Sequence, residues 1–140
     1  MPKINAYLSF DGSAAEAMRF YEALLGAKLD SLVKFGDMPN AKQMPPGSAD
    51  KVMHAQLSFK DGGALMASDW IGGRPYEGMK GFSIALGYQT ADEARRVFDA
   101  FAQGGMTIMP MQPSFFAETF GMVIDRFGAP WAISGGNNPR

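Results

Sequence analysis

The sequence predicts an α+β protein made of two βαβββ modules in tandem, forming a cupped mixed sheet with the helices on its outer face. Three observations carry that expectation. First, Ser13–Leu25 and Thr90–Ala102 read alike. Each opens with a hydroxyl residue followed three positions later by Glu (Glu16, Glu93), the spacing of a capping box that satisfies N–H groups of a first helical turn. Each then spaces apolar residues as a helix does, through Ala17, Phe20, Tyr21, Leu24 and Leu25 or Ala94, Val97, Phe98, Phe101 and Ala102, and runs into Gly26 or Gly104-Gly105. Second, Gly63-Ala64-Leu65-Met66-Ala67 is echoed by Gly128-Ala129-Pro130-Trp131-Ala132. Third, each helix follows one alternating strand and precedes three. A duplicated unit suggests a site where the copies meet.

The elements follow in order. Ile4 to Phe10 alternates, with Ile4, Ala6, Leu8 and Phe10 on one face and Asn5, Tyr7 and Ser9 on the other, which predicts a half-buried strand. The first helix spans roughly 13–26, and a strand follows over Lys28–Phe35. Residues 36–50 carry Pro39, Asn40, Pro45, Pro46 and Gly47 and read as a long flexible loop, of a length that in a small domain points to function. Val52 to Phe59 alternates, with Met53, Ala55, Leu57 and Phe59 apolar and His54, Gln56 and Ser58 polar. Asp61-Gly62-Gly63 then turns the chain into a strand over Ala64–Ser68.

Asp69 to Lys80 holds Gly72, Gly73, Pro75 and Gly78 and is the expected linker between modules of about residues 1–70 and 80–136, which together form a single domain. The second module repeats the order: a strand over Phe82–Tyr88, a helix over roughly 90–104, strands over Thr107–Met111 and Phe120–Ile124, a turn at Asp125–Gly128 and a strand over Pro130–Ser134. Residues 135–140 read as a frayed tail.

Composition narrows the function classes. With 46% hydrophobic and 19% charged residues, the 140-residue chain reads as one globular domain with a single core. A net charge of −1 without Lys or Arg runs argues against nucleic acid and anionic membrane as partners. No stretch has the length of a membrane span and no leader pattern opens the chain, so the expected location is the cytoplasm. The absence of Cys excludes thiolate chemistry and thiolate-bound zinc. Eleven Met residues suit an adaptable core and pockets for bulky apolar ligands.

If the apolar strand faces pack on the helices, parity places Asn5, Tyr7, Ser9, His54, Gln56, Ser58, Leu65, Ala67, Asp69, Ser83, Ala85 and Ala132 on the cup side. His54 is the only His and the candidate general base or hydrogen-bonding partner of a ligand. Asn5, Tyr7, Gln56, Asp69 and Trp70 are the candidate ligand-binding residues, Trp70 by stacking. Trp131 points to the core, and Asp125 organises its turn. Glu118 lies beside Phe115 and Phe116 in a stretch that suits a lid or rim.

The chain resembles PhnB-like proteins of the vicinal oxygen chelate superfamily, which holds glyoxalases, bleomycin-resistance proteins and extradiol dioxygenases. The resemblance rests on Tyr7-Leu8-Ser9-Phe10-Asp11-Gly12-Ser13-Ala14-Ala15-Glu16-Ala17, Phe20-Tyr21, Leu25-Gly26, Met53-His54-Ala55-Gln56-Leu57 and Leu65-Met66-Ala67-Ser68-Asp69. Phe115-Phe116, Gly121, Asp125-Arg126-Phe127-Gly128 and Trp131 extend it to nearly the whole chain. It implies the cupped fold, and for the superfamily's enzymes a divalent metal held by His and Glu. Carried over, the ligand positions fall at Asn5, Ala67, Ser83 and Ala132, so no metal ligand and no cofactor is expected. A site improvised from His54, Asp69 and Asn5 would need all three side chains to converge.

Two functions follow from the resemblance. One is a small-molecule-binding protein of the bleomycin-resistance type, with the ligand in the cup. The other is a glyoxalase- or dioxygenase-like enzyme using His54 as acid/base or an atypical metal site. A homodimer is the expected assembly in either case.

Overall fold

The computed structural model describes residues 2–137. The chain divides into two compact units, one ending at Gly78 and the other beginning at Met79. The first contains β1 (Ala6–Phe10), α1 (Ala14–Leu25), β2 (Lys28–Lys34), β3 (Val52–Ser58) and β4 (Ala64–Asp69). The second contains β5 (Ile84–Tyr88), α2 (Ala91–Ala102), β6 (Met106–Gln112), β7 (Ala117–Ile124) and β8 (Pro130–Asn137). Each unit is therefore βαβββ, as the repeated helices predict.

Each unit builds its own four-stranded mixed sheet, in the order β1-β4-β3-β2 or β5-β8-β7-β6. The first strand of each runs parallel to the last, and the other pairings are antiparallel. Parallel neighbours need a long crossover, which the excursion through the helix and two strands supplies.

The helices explain which sheet face is covered. Helix α1 packs on β2, β3 and β4 and buries Ala14, Ala17, Met18 and Tyr21 against a core that includes Leu8, Phe10, Val52, Ala55 and Leu57. Helix α2 packs on all four strands of its unit and buries Val97, Phe98 and Phe101. In that core Trp131 stacks on Phe101 with ring centroids 4.5 Å apart, as its parity predicts. Burying each large apolar side chain contributes about 1.5–3 kcal/mol, so helix and sheet hold each other in place.

The strand ends differ from the sequence reading. Strand β1 begins at Ala6, leaving Ile4 96% exposed rather than inward. Strand β5 begins at Ile84, so Phe82 also lies outside it. Strand β7 begins three residues earlier than predicted, at Ala117, which brings Glu118 into the sheet. Residues 135–137 are strand rather than tail because Gly135 pairs with Tyr88 and Asn137 with Ala117; the rest of the expected tail, 138–140, lies outside the described residues. The 36–50 loop contains short 3-10 turns at Phe35–Asp37 and Ala41–Gln43 and is tied at its base by Phe35 N to Lys51 O and Gly36 N to Ala49 O.

The largest correction is to β4. Leu65, Ala67 and Asp69 face the core and are buried, whereas Ala64, Met66 and Ser68 face away. Register explains the reversal. The β3–β4 hairpin closes with Ser58 opposite Ala64, and the β7–β8 hairpin closes with Ile124 opposite Pro130. Leu65 therefore corresponds to Trp131, and Met66 to Ala132. The echo of Gly63–Ala67 in Gly128–Ala132 is displaced by one residue, and one residue inverts every side chain of a strand.

The capping boxes also part company. In α2, Thr90 Oγ1 accepts from Glu93 N at 3.2 Å and donates to Glu93 Oε1 at 3.1 Å. In α1 the Ser13 side chain makes no capping bond. Instead the Asp69 carboxylate reaches the helix, with Oδ1 accepting from Ala14 N at 2.9 Å while Oδ2 accepts from Val52 N at 2.8 Å. Ser13→Ala should therefore change stability by less than about 0.5 kcal/mol, whereas Thr90→Ala should cost about 1 kcal/mol. Asp69→Ala orphans two buried donors and should cost about 3 kcal/mol or more. Urea unfolding of the three variants checks this order, and a neutral Asp69→Ala would contradict it.

Candidate functional site

Strand alternation leaves the sheet face of the first unit away from α1 without helical cover. Neighbours across that face follow from register: Tyr7 on β1, Met66 on β4, Gln56 on β3 and Ser31 on β2 form one row. Ser9 pairs with Ser68, and His54 with Val33, on the same face. The Tyr7 hydroxyl lies 3.2 Å from His54 Nδ1, and the two rings meet at 42° with centroids 5.8 Å apart. Tyr7 is 50% exposed, so this pair is open to a ligand.

The predicted site residues do not all share that face. Tyr7, His54 and Gln56 share the open face. Asn5 lies just outside β1, where its Oδ1 accepts from Ala64 N at 3.2 Å and fastens the start of β4. Asp69 does not reach this face: it is 4% exposed, on the core side, with both carboxylate oxygens engaged by backbone N–H groups. Ala64, Met66 and Ser68 take the open positions on β4 where parity predicts Leu65, Ala67 and Asp69. Counting the equal hairpin lengths, five residues between the closing pair in each unit, would have found them.

Trp70 begins a segment that is folded onto the first unit rather than free as a linker. Its backbone N–H donates to Phe10 O at 2.7 Å and its indole N–H to Arg74 O at 2.6 Å. The indole lies over Gly72, where a Cβ would come within 2.6 Å of the ring. Trp70 lines a cavity of about 340 Å³ with Ser9, Arg74, Pro75, Tyr76 and Glu77. The Tyr76 hydroxyl donates to Ser9 O at 2.7 Å, and its phenol is pushed above the ordinary value of 10.0, chiefly by burial and further by the charge of Asp11.

In the second unit Ala85 and Ala132 occupy neighbouring open-face positions, and Ser83 borders a cavity of about 280 Å³ lined also by Phe82, Ile108, Met122 and Trp131. The Asp125 carboxylate organises its turn: Oδ1 accepts from Phe127 N and Ala129 N, each at 2.9 Å, and Oδ2 from the Trp131 indole N–H at 2.9 Å. Phe115 is 79% exposed and joins an edge-on aromatic series through Phe116 to Phe120.

The donor set can be tested for the divalent ion that the superfamily's enzymes hold. With Ala67 in the core, the corresponding positions are Asn5 and Ser83, outside β1 and β5, and Met66 and Ala132 on the open faces, which offer an engaged amide, a hydroxyl, a thioether and a methyl group. Catalytic zinc and its neighbours take imidazole and carboxylate ligands, so this set does not fit. Among the described residues no group of three or more His, Cys, Asp or Glu is placed to hold a metal ion. Nor is any described helix long and apolar enough to cross a membrane.

Two βαβββ units with open sheet faces define the glyoxalase-like fold of the vicinal oxygen chelate superfamily. The likeness to a glyoxalase-related enzyme from Fulvimarina pelagi, at 16% identity and a TM-score of 0.59 over 96% of this chain and 88% of that one, is one of fold alone. The sequence profile of the family described as 3-demethylubiquinone-9 3-methyltransferase matches residues 2–134, and the chain belongs to that PhnB-like family. It is similar to protein PA1353 from Pseudomonas aeruginosa, with 43% identity and a TM-score of 0.88 over 96% of this chain and 98% of that one. A PhnB protein from Bacillus cereus, titled a putative 3-demethylubiquinone-9 3-methyltransferase, shares 27% identity at a TM-score of 0.79 over 96% and 99% of the two chains. Protein YjdN of Escherichia coli K12 is 32% identical over 139 residues, 94% of this chain and 93% of that protein.

The Tyr76 phenol gives this region a pH signature. Its folded value is raised, so its contribution is complete below the unfolded value near 10 and is lost as pH rises through the folded one. Tyr88 is raised in the same direction, mainly by burial, with Arg96 opposing and Glu93 assisting. Stability should therefore fall from about pH 9.5 upward. Tyr76→Phe should lose about 1 kcal/mol at neutral pH, from the bond to Ser9, and show a shallower alkaline decline. Denaturant titrations between pH 7 and 11 check both, and an unchanged alkaline slope would count against this account.

Proposed function

We propose that this protein binds a small amphipathic or aromatic molecule on the open sheet face of the first unit, in the manner of bleomycin-resistance proteins and without a divalent metal. The observation that carries the proposal is the Tyr7–His54 contact, a phenol and an imidazole 3.2 Å apart on a face with no helical cover. Gln56 and Met66 share Tyr7's row, so polar anchoring and soft apolar contact lie side by side, as small-molecule sites require. Trp70 and its cavity border the same strand through Ser9 and extend the surface available to an aromatic ligand. The protein acts in the cytoplasm, as a homodimer.

A second reading is favoured by the same contact. An imidazole beside a phenol can exchange a proton with a bound substrate, which makes His54 the acid/base of a glyoxalase-like enzyme. Turnover would distinguish it from binding alone. The methyl transfer named in the family's description would require a methyl donor in addition to the acceptor, and methyl-donor binding is the observation that would favour it.

Thermal-shift screening of aromatic and amphipathic compounds tests the binding proposal. A ligand at 100 times its Kd should add about 2.7 kcal/mol of stability. His54→Ala and Tyr7→Ala should each weaken binding about tenfold, a loss of ~1.4 kcal/mol, with unfolding midpoints close to that of the parent. Ligands that bind both variants as well as the parent would remove this face from consideration. Stoichiometric zinc, nickel or iron retained through purification would overturn the metal-free proposal, and sedimentation showing only monomer at micromolar concentration would overturn the dimer.

A further inference from the structure

We infer that Tyr7 is a positioning residue that holds His54 as its Nε2–H tautomer, so that the site recognises an uncharged, oxygen-bearing ligand such as an amide or ketone rather than a carboxylate or a metal ion. The inference rests on the binding reading above and names the ligand chemistry of that site. The Tyr7 hydroxyl is placed against Nδ1 at 3.2 Å. The imidazole lone pair accepts a hydrogen bond better than a phenol oxygen, whose own lone pair is drawn into its ring, so the phenol donates. A neutral imidazole has one N–H, and the bond made by one nitrogen decides where that proton resides. With Nδ1 accepting from Tyr7, the proton is on Nε2. That nitrogen then has a hydrogen to offer and no free lone pair, which suits a ligand oxygen and not a metal ion.

The surroundings set the charge of that oxygen. The row Tyr7–Met66–Gln56–Ser31, the pair Ser9–Ser68 and the pair His54–Val33 contain no Asp, Glu, Lys or Arg. Lys34 beside Val33, Lys28 opposite Ser58 and Arg74 at the cavity beside Ser9 border these rows without belonging to them. Within the rows a carboxylate brought to His54 would surrender water for neutral donors alone, a cost that a carbonyl does not incur. Gln56 and the three serines offer further neutral donors and acceptors, and Met66 supplies an apolar, polarizable surface between Tyr7 and Gln56. The combination fits a carbonyl attached to an apolar or aromatic body.

The chain's single His makes the test direct, because every imidazole signal in labelled protein comes from His54. Nitrogen-15 spectra of the full chain, at about pH 8.5 where an ordinary imidazole is neutral, should show a protonated Nε2 and an unprotonated Nδ1. Tyr7→Phe keeps the ring and removes the hydroxyl, and should move His54 to a mixture of tautomers while circular dichroism stays unchanged. A protonated Nδ1 in the parent, or a tautomer that Tyr7→Phe leaves unaltered, would overturn the positioning role while leaving the binding reading standing. Acetophenone and benzoate, nearly isosteric, then test the ligand class: acetophenone should perturb the His54 signals at concentrations several-fold lower than benzoate, and less effectively in Tyr7→Phe. Equal or stronger response to benzoate, or none to either probe, would overturn the neutral-oxygen assignment even with the tautomer as inferred.

Discussion

The first unit depends on one buried carboxylate. Asp69 ends β4, yet its two oxygens reach the first turn of α1 and the first residue of β3, joining three elements that are far apart in sequence. A carboxyl group 4% exposed to solvent is tolerable there because both oxygens accept from backbone N–H groups, and it sits at the positive end of a helix dipole. This tether fixes where α1 begins on the sheet. It thereby fixes which strand face is covered and which carries Tyr7 and His54.

The second unit solves the same problem without a carboxylate. By register Gly135 stands where Asp69 stands, because Asp69 pairs with Phe10 and Gly135 with Tyr88. A Cβ at Gly135 would lie 2.4 Å from Thr90 O and 2.6 Å from the Ala94 methyl, so the helix approaches too closely for a side chain to intervene. Its first turn is then capped locally by Thr90. The acidic tether of this unit appears elsewhere, in Asp125, which binds two N–H groups of its turn and the indole of Trp131. The two units share one topology and differ in their polar fastenings.

Much of the fold was legible because helices and strands announce themselves by periodicity, and both βαβββ units follow from it. Local spacing gave less away about tertiary competition. Ser13-x-x-Glu16 has the form of a capping box, but an aspartate from 55 residues away takes the first-turn donor instead. The open face was legible where parity was anchored by a clearly alternating strand, as at Tyr7, His54 and Gln56. It was misread on β4, where Ala64–Asp69 mixes Ala and Leu with Ser and Asp so that the pattern itself favours neither face. There only the hairpin's closing pair fixes the phase. The Tyr76 bond to Ser9 had no signal in the sequence, since a Gly- and Pro-rich segment reads as a linker wherever it folds back.

The separation of the two sheet faces lets the chemistry of the open face vary without disturbing the core. Leu8, Phe10, Ala55, Leu57, Leu65 and Ala67 hold the first unit together from one face, each 3% exposed or less. Tyr7, Met66, His54 and Gln56 alternate with them on the same strands yet contribute little to that core. Exchanging such open-face residues costs little stability, so an amide, a thioether, a hydroxyl and a methyl group can stand at Asn5, Met66, Ser83 and Ala132 while the other face holds the fold. The open face of the first unit carries one imidazole with a phenol hydroxyl 3.2 Å from its Nδ1. On our inference that Nδ1 accepts from Tyr7, this imidazole donates to a ligand oxygen rather than accepting a cation.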